Sequence, residues 1–198
     1  MDPRIARTRT LLQDALLSLA RERDLDEIAV ADIADRATIN RSTFYQHYAD
    51  KDTLLADALD EQVRLAGADL TDLATLELSE DPPEVLVRYA EHLAENAALY
   101  RRALGEHGSP VATARLRRRI TTIVMTGICL HADDYDRIEL PVEIAAASIT
   151  GSLIGVLTAW LDMDPLPAPD QAAAWVWTIL APAQSAPGAP VAGARGGR

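Results

Sequence analysis

The eleven residues from Arg41 to Lys51, RSTFYQHYADK, gather the side chains best suited to reading another molecule. They hold the chain's one Phe and one Lys, two of its five Tyr and one of its four His. On a helix turning about 100° per residue, Phe44 and Tyr48 share one side, with Ser42 and Gln46 opposite. Tyr45, Thr43 and His47 lie on the flanks. One side is an aromatic anchor; the other is a fan of donors and acceptors with no carboxylate. Such a fan suits duplex DNA. Arg41 can fork onto guanine, Gln46 onto adenine, Ser42 or Thr43 onto either, and the Thr43 methyl can touch thymine. Tyr45, His47 and Lys51 can hold phosphates, which position a protein without reading sequence.

The elements that must position this fan are helical. Strand-like alternation is absent, and apolar spacing of three and four recurs almost everywhere. Asp2 caps a first helix with Pro3 at its first position and Leu11, Leu12, Ala15, Leu16, Leu19 and Ala20 along one stripe. A short helix over about 30–37, the turn TIN, and a second short helix over about 41–48 make a helix-turn-helix. Asp50 caps a longer helix carrying Leu54, Leu55, Ala58, Leu59 and Val63. Beyond it the spacing predicts a helix from SEDPPE to about Leu104. Another runs from GSP to His131 with a break near Arg119. An uncharged helix then reaches about Met163, and a last one spans Gln171 to Leu180. The fold expected is all-α, with residues 1–50 as the DNA-binding domain and 51–181 as a ligand-binding and dimerisation domain. The Ala/Pro/Gly-rich stretch 182–198 reads as a disordered tail.

The first fifty-five residues resemble the DNA-binding domain of the TetR family of bacterial transcriptional regulators, through VADIADRATINRSTFYQHYADKDTLL. Without that resemblance, the same pattern also describes an ordinary helical hairpin with a polar outer face. The resemblance implies that Arg41, Ser42, Thr43, Tyr45, Gln46, His47 and Lys51 meet DNA, while Phe44 and Tyr48 hold the helix to its domain. Arg4, Arg7 and Arg9 add positive charge for flanking phosphates. Two positions depart from the family's pattern. Ala29 stands where a Ser or Thr usually caps the second helix, leaving Asp32 as half a capping box. Thr38 stands where the turn favours Gly, and a β-branched residue resists positive φ, so a differently built turn is expected.

The resemblance also implies a small effector inside the C-terminal helices. Tyr89, His92, Asn96, Tyr100, Met125 and Cys129 are the candidate lining, a few polar groups among apolar ones. RLRRR at 115–119 reads as a solvated helix face. HADDYD at 131–136 reads as a solvated loop, without the spacing of a calcium site. No metal, cofactor or catalytic residue is expected. Gly151 and Gly155, with Ala147, form a small-residue pattern suited to close contact with a second copy, and Trp160, Trp175 and Trp177 suit the centre of such an interface.

Charge and composition limit the alternatives. The net charge of −11 excludes a surface that coats nucleic acid everywhere. Residues 1–51 carry eight basic and nine acidic side chains; residues 52–198 carry eleven and twenty-one. An anionic polymer can therefore approach only the first segment. A single cysteine excludes an intrachain disulfide. The N-terminal residues lack the apolar run of a signal peptide. Residues 144–161 are uncharged for a length near the spanning threshold of about 18. They are rich in Ala, Gly, Ser and Thr and have acidic flanks, so a buried soluble helix is expected and not a membrane span. The expectation is a cytoplasmic homodimer that binds double-stranded DNA and is released from a palindromic operator by an apolar effector, uncharged or positive. The alternatives are a helical enzyme or a protein-only adaptor using the C-terminal pocket.

Overall fold

A computed structural model describes residues 3–76, 79–131 and 140–181. Nine α-helices and two 3₁₀ turns account for the regular structure there, with no strand among the described residues. Helices α1 (Pro3–Glu22), α2 (Val30–Arg36) and α3 (Arg41–His47) precede α4 (Lys51–Leu65). Then come α5 (Glu84–Glu95), α6 (Ala97–Leu104), α7 (Pro110–Leu130), α8 (Val142–Leu161) and α9 (Pro169–Leu180).

The stripe on α1 buries Leu12, Ala15, Leu16 and Leu19 against α4 and α2, while Leu11 stays on the surface. Helix α4 is shared. It packs on α1 at one side and on α7 at the other, and one continuous apolar core runs from Leu12 through Leu54 and Leu59 to Trp177. The expected boundary at residues 50 and 51 therefore falls where the chain turns, while the core crosses it. Helices α8 and α9 pack on each other, α8 on α7 and α9 on α5.

Three expectations change. The helix predicted to run to Leu104 is two helices, because Asn96 leaves helical geometry (φ −114°, ψ 25°). Its Nδ2 donates to the His92 carbonyl at 3.0 Å and so replaces a lost backbone bond. Helix α7 is unbroken at Arg119, whose side chain is tied to Asp60 and Asp69. Trp160 and Trp177 belong to the protomer's own core: each is almost wholly buried, and their indoles donate to the carbonyls of Pro167 (3.0 Å) and Ser79 (2.9 Å). Of the three tryptophans only Trp175 is half-buried. Within α8 an 18-residue window has mean hydropathy 1.8, long and apolar enough to cross a membrane; 39% of that window is buried inside the protein, against α7 and α9. The proposed tail, and all of HADDYD but His131, lie outside the described residues.

Candidate nucleic-acid interface

Local sequence sets the angle between α2 and α3. Ala29 has no side-chain acceptor, so the cap of α2 is the Asp32 carboxylate alone, accepting from the Ala29 amide at 2.9 Å. Helix α2 closes in a Schellman motif: Ile39 N–H donates to the Ala34 carbonyl (2.9 Å) and Thr38 N–H to Asp35 (3.1 Å). That motif requires a left-handed residue, and Thr38 supplies it at φ +57°. Helix α4 ends in the same motif with Gly67 at φ +64°. The turn therefore keeps the geometry expected of Gly and bears the strain of a β-branched residue, a cost of order 1–3 kcal/mol.

Phe44 is fully buried, its ring edge-to-face with Tyr45 (5.3 Å between centroids) and tilted against Tyr48 (6.3 Å). With that side anchored, Arg41, Ser42, Tyr45 and Gln46 stand exposed, and Thr43 and His47 are half-buried beside them. The structure thus brings six of the seven expected DNA-contacting residues onto one surface. Lys51 sits differently. Its ammonium donates to the carbonyls of Leu25 and, at 2.8 Å, Ile28, closing the 3₁₀ turn between α1 and α2. Two of its three donors are committed inside the protein, leaving one.

The foot of α3 rests on a carboxylate that the motif does not announce. Asp57 on α4 accepts from the Tyr48 hydroxyl (2.7 Å), Arg9 (2.7 Å) and Gln13 (3.0 Å), all on Oδ2. Arg9 also donates to the Tyr48 hydroxyl at 3.1 Å and lies over its ring. Arg9 is therefore committed within the protein, unlike Arg7, which is exposed on α1. Burial raises the Asp57 carboxyl, but the bonds from Tyr48 and Arg9 and the charges of Arg9 and Arg115 outweigh it and hold the group below its usual range. Burial, reinforced by the bond to Asp57, pushes the Tyr48 hydroxyl up to about 12, so it remains a donor. On the other side, Arg115 of α7 lies 2.6 Å from Asp60 and 3.6 Å from Asp57. The RLRRR run divides accordingly. Arg115 and Arg119, four apart on one face, pair with acids of α4 and its following loop, while Arg117 and Arg118 are exposed. The solvated-face reading holds only for the latter two.

The six candidate effector residues do not converge. Tyr89 and Tyr100 line a closed cavity of about 40 Å³ with Leu59, Val63, Leu116 and Ile120. His92 is buried behind it, its Nε2 2.8 Å from the Tyr100 hydroxyl, and burial lowers its pKa, favouring the neutral ring. Asn96 faces α1, accepting from Arg21 at 3.2 Å. Met125 packs on the core, and Cys129 is exposed near the end of α7. Asn96, Met125 and Cys129 therefore do not line the cavity. No cluster of metal-ligating side chains occurs among the described residues.

A short second helix with an exposed polar fan, anchored at an αL turn on the first, defines a helix-turn-helix protein. Residues 12–58 match the profile of the bacterial regulatory proteins of the tetR family. The match covers this helix-turn-helix domain and makes it similar to the DNA-binding domains of that family. An uncharacterized HTH-type transcriptional regulator of Bacillus subtilis, YxbF, is 37% identical over 92 residues, which is 46% of this chain and 23% of that protein's length. Two solved structures share the whole fold. The TetR transcriptional regulator from Streptococcus agalactiae is 21% identical with a TM-score of 0.64, over 91% of this chain and 97% of its own. The TetR-family repressor FadR from Thermus thermophilus, in complex with lauroyl-CoA, is 19% identical with a TM-score of 0.63, over 93% of this chain and 99% of its own. These likenesses carry the fold through the C-terminal helices.

Proposed function

We propose that the protein is a dimeric, cytoplasmic transcriptional repressor that leaves a palindromic operator when a small apolar effector binds its C-terminal helices. One observation carries the reading: the exposed fan Arg41, Ser42, Tyr45 and Gln46 is held by a fully buried Phe44 and by Tyr48 fixed to Asp57. A reading surface must be rigid to discriminate bases, and this one is anchored at its middle by Phe44 and at its C-terminal end by Tyr48. The lauroyl-CoA complex of FadR supports an effector site in this fold. The relatives are regulators, which favours regulation over the enzyme and adaptor alternatives.

Dimerisation is supported by α8. Ala147, Gly151 and Gly155 are exposed, and a Cβ built at either glycine meets nothing within 4 Å. The protomer's own packing does not need these glycines; a second copy approaching closely would. Two such protomers would set their recognition helices about 34–36 Å apart, one helical turn of DNA.

The test is selection of bound DNA by the full chain, followed by gel shifts with variants. Arg41→Ala or Gln46→Ala should alter the preferred base at one position by about 1–3 kcal/mol, and Tyr45→Ala should weaken all sequences alike. Wild-type affinity and preference in all three variants would remove the recognition-helix assignment. Gly151→Leu should yield monomers with much weaker operator binding; a sedimenting monomer that still grips a palindrome would sink the dimer reading.

A further inference from the structure

Two voids meet at one wall. An open cleft of about 770 Å³ lies between α1 and α4 on one side and α7 on the other. The closed cavity of about 40 Å³ lies behind it. Asp60, Arg115 and Arg119 line both, so these three side chains separate the cleft from the apolar interior. On the interior side stands Tyr89, only 7% exposed, whose hydroxyl has no hydrogen-bond partner among the described residues. An unengaged phenol at the cavity wall can donate a hydrogen bond to a ligand or to water. On the cleft side five arginines face four carboxylates, and the surplus guanidinium, Arg118, is exposed and has no ion-pair partner among the described residues.

We propose that this wall binds an amphipathic organic monoanion. Its apolar body enters beside Leu59, Val63 and Ile120. Its carboxylate takes the forks of Arg115 and Arg119 away from Asp60, and Tyr89 donates a further hydrogen bond. This inference rests on the ligand-responsive reading above and names its ligand class. It also reverses the charge expected from the sequence. The C-terminal part is strongly acidic overall, but at contact distance the nearest fixed charges decide, and solvent screens the distant ones. Displacing Asp60 is cheap, because in its pair with Arg115 the side chains are 36% and 39% exposed and such pairs contribute little. The cavity holds no more than about one water when empty, so a ligand body must spread α4 from α7. Arg115 reaches Asp57 as well as Asp60, and Asp57 holds Tyr48 at the foot of the recognition helix. Binding is thereby linked to the reading surface through one carboxylate.

The experiment uses the full chain and matched probes: 4-phenylbutyrate, its neutral amide, 4-phenylbutylamine, and octanoate as a second body. Binding is read by thermal midpoint and tryptophan fluorescence without DNA. The carboxylates should raise the midpoint at millimolar concentration, the amide less and the amine not at all. Arg119→Gln should weaken 4-phenylbutyrate about tenfold, the size of one charge-assisted bond, and Tyr89→Phe should weaken it severalfold. Asp60→Asn removes the competitor and should tighten the carboxylate, an outcome that a merely structural Asp60 would not give. An amine that binds as well as the carboxylate would overturn the site, as would weaker binding in folded Asp60→Asn or no response to either carboxylate. A gel shift then separates the two readings. Carboxylate binding without change in operator affinity retains the site and defeats effector control; operator binding without carboxylate binding does the reverse.

Discussion

The two halves of the molecule differ in how completely their buried polar groups are tied. In the N-terminal domain each one is tied: the Tyr48 hydroxyl to Asp57 and Arg9, the Lys51 ammonium to two carbonyls. In the C-terminal helices His92 and the Trp160 and Trp177 indoles are tied as well, but Thr150 Oγ1 and His131 Nε2 find no partner among the described residues, and the cavity-lining Tyr89 hydroxyl has none either. Thr150 is nearly fully buried, inside a helix of small residues. A surface that reads bases must hold its side chains within a fraction of an ångström, so its supports are saturated. On the proposed reading the C-terminal helices must yield to a ligand, and small cavities with open hydrogen-bonding capacity suit that role. The contrast teaches that rigidity here is local, set by a few long-range polar ties on top of apolar packing.

The contrast can be broken at its strongest point first. Phe44→Ala empties the one aromatic anchor of α3 and should cost about 3–5 kcal/mol in denaturant unfolding, with loss of DNA binding; a smaller cost would mean the domain tolerates the cavity and is not saturated. Next, a matched pair of hydroxyl deletions weighs the two halves directly. Tyr48→Phe strips a donor from Asp57 and an acceptor from Arg9 and should cost about 1–3 kcal/mol. Tyr89→Phe removes a hydroxyl without a partner and should lie within about 0.5 kcal/mol of wild type. Equal costs in calorimetry would erase the distinction.

Thr38→Gly should stabilise by about 1 kcal/mol, since relief of the left-handed strain exceeds the added freedom of the unfolded chain; a loss of stability would show that the threonine side chain compensates. The smallest effect is a pH slope. Burial depresses the His92 pKa below 6.5 in the folded state. At pH above 6.5 both states are neutral and the full contribution is present. As pH falls below 6.5 the unfolded chain takes up the proton first, and stability is lost until the folded pKa is passed. Wild type should therefore lose more thermal stability than His92→Gln between neutrality and about pH 5; parallel curves would deny a neutral buried His92.

What was legible in the sequence was what depends on near neighbours. The aromatic pair Phe44 and Tyr48 and the Asp50 cap, which accepts from Thr53 at 2.7 Å, lie within a few residues of their causes, whereas the turn at Thr38 keeps the positive φ that its β-branched side chain argued against. Local sequence points Lys51 and Arg9 at phosphates, because their protein partners lie 26 and 48 residues away, beyond any local pattern. The same distance hid the intrachain roles of Trp177, whose acceptor is 98 residues off, and of the arginines at 115 and 119. One signal was available. Two arginines four apart share a helix face, and a run of four that spans more than one face cannot be solvated uniformly. The expected effector residues are neighbours in sequence, whereas the cavity is assembled from α4, α5, α6 and α7 together.

Lys51 is the only lysine in the chain; every other permanent cation is a guanidinium. Acylating enzymes and amine-reactive reagents therefore have one side-chain target, and its ammonium is engaged by two backbone carbonyls. The protein's positive charge cannot be erased by the modification that most readily neutralises it elsewhere, so control of its grip on a polyanion is left to conformation.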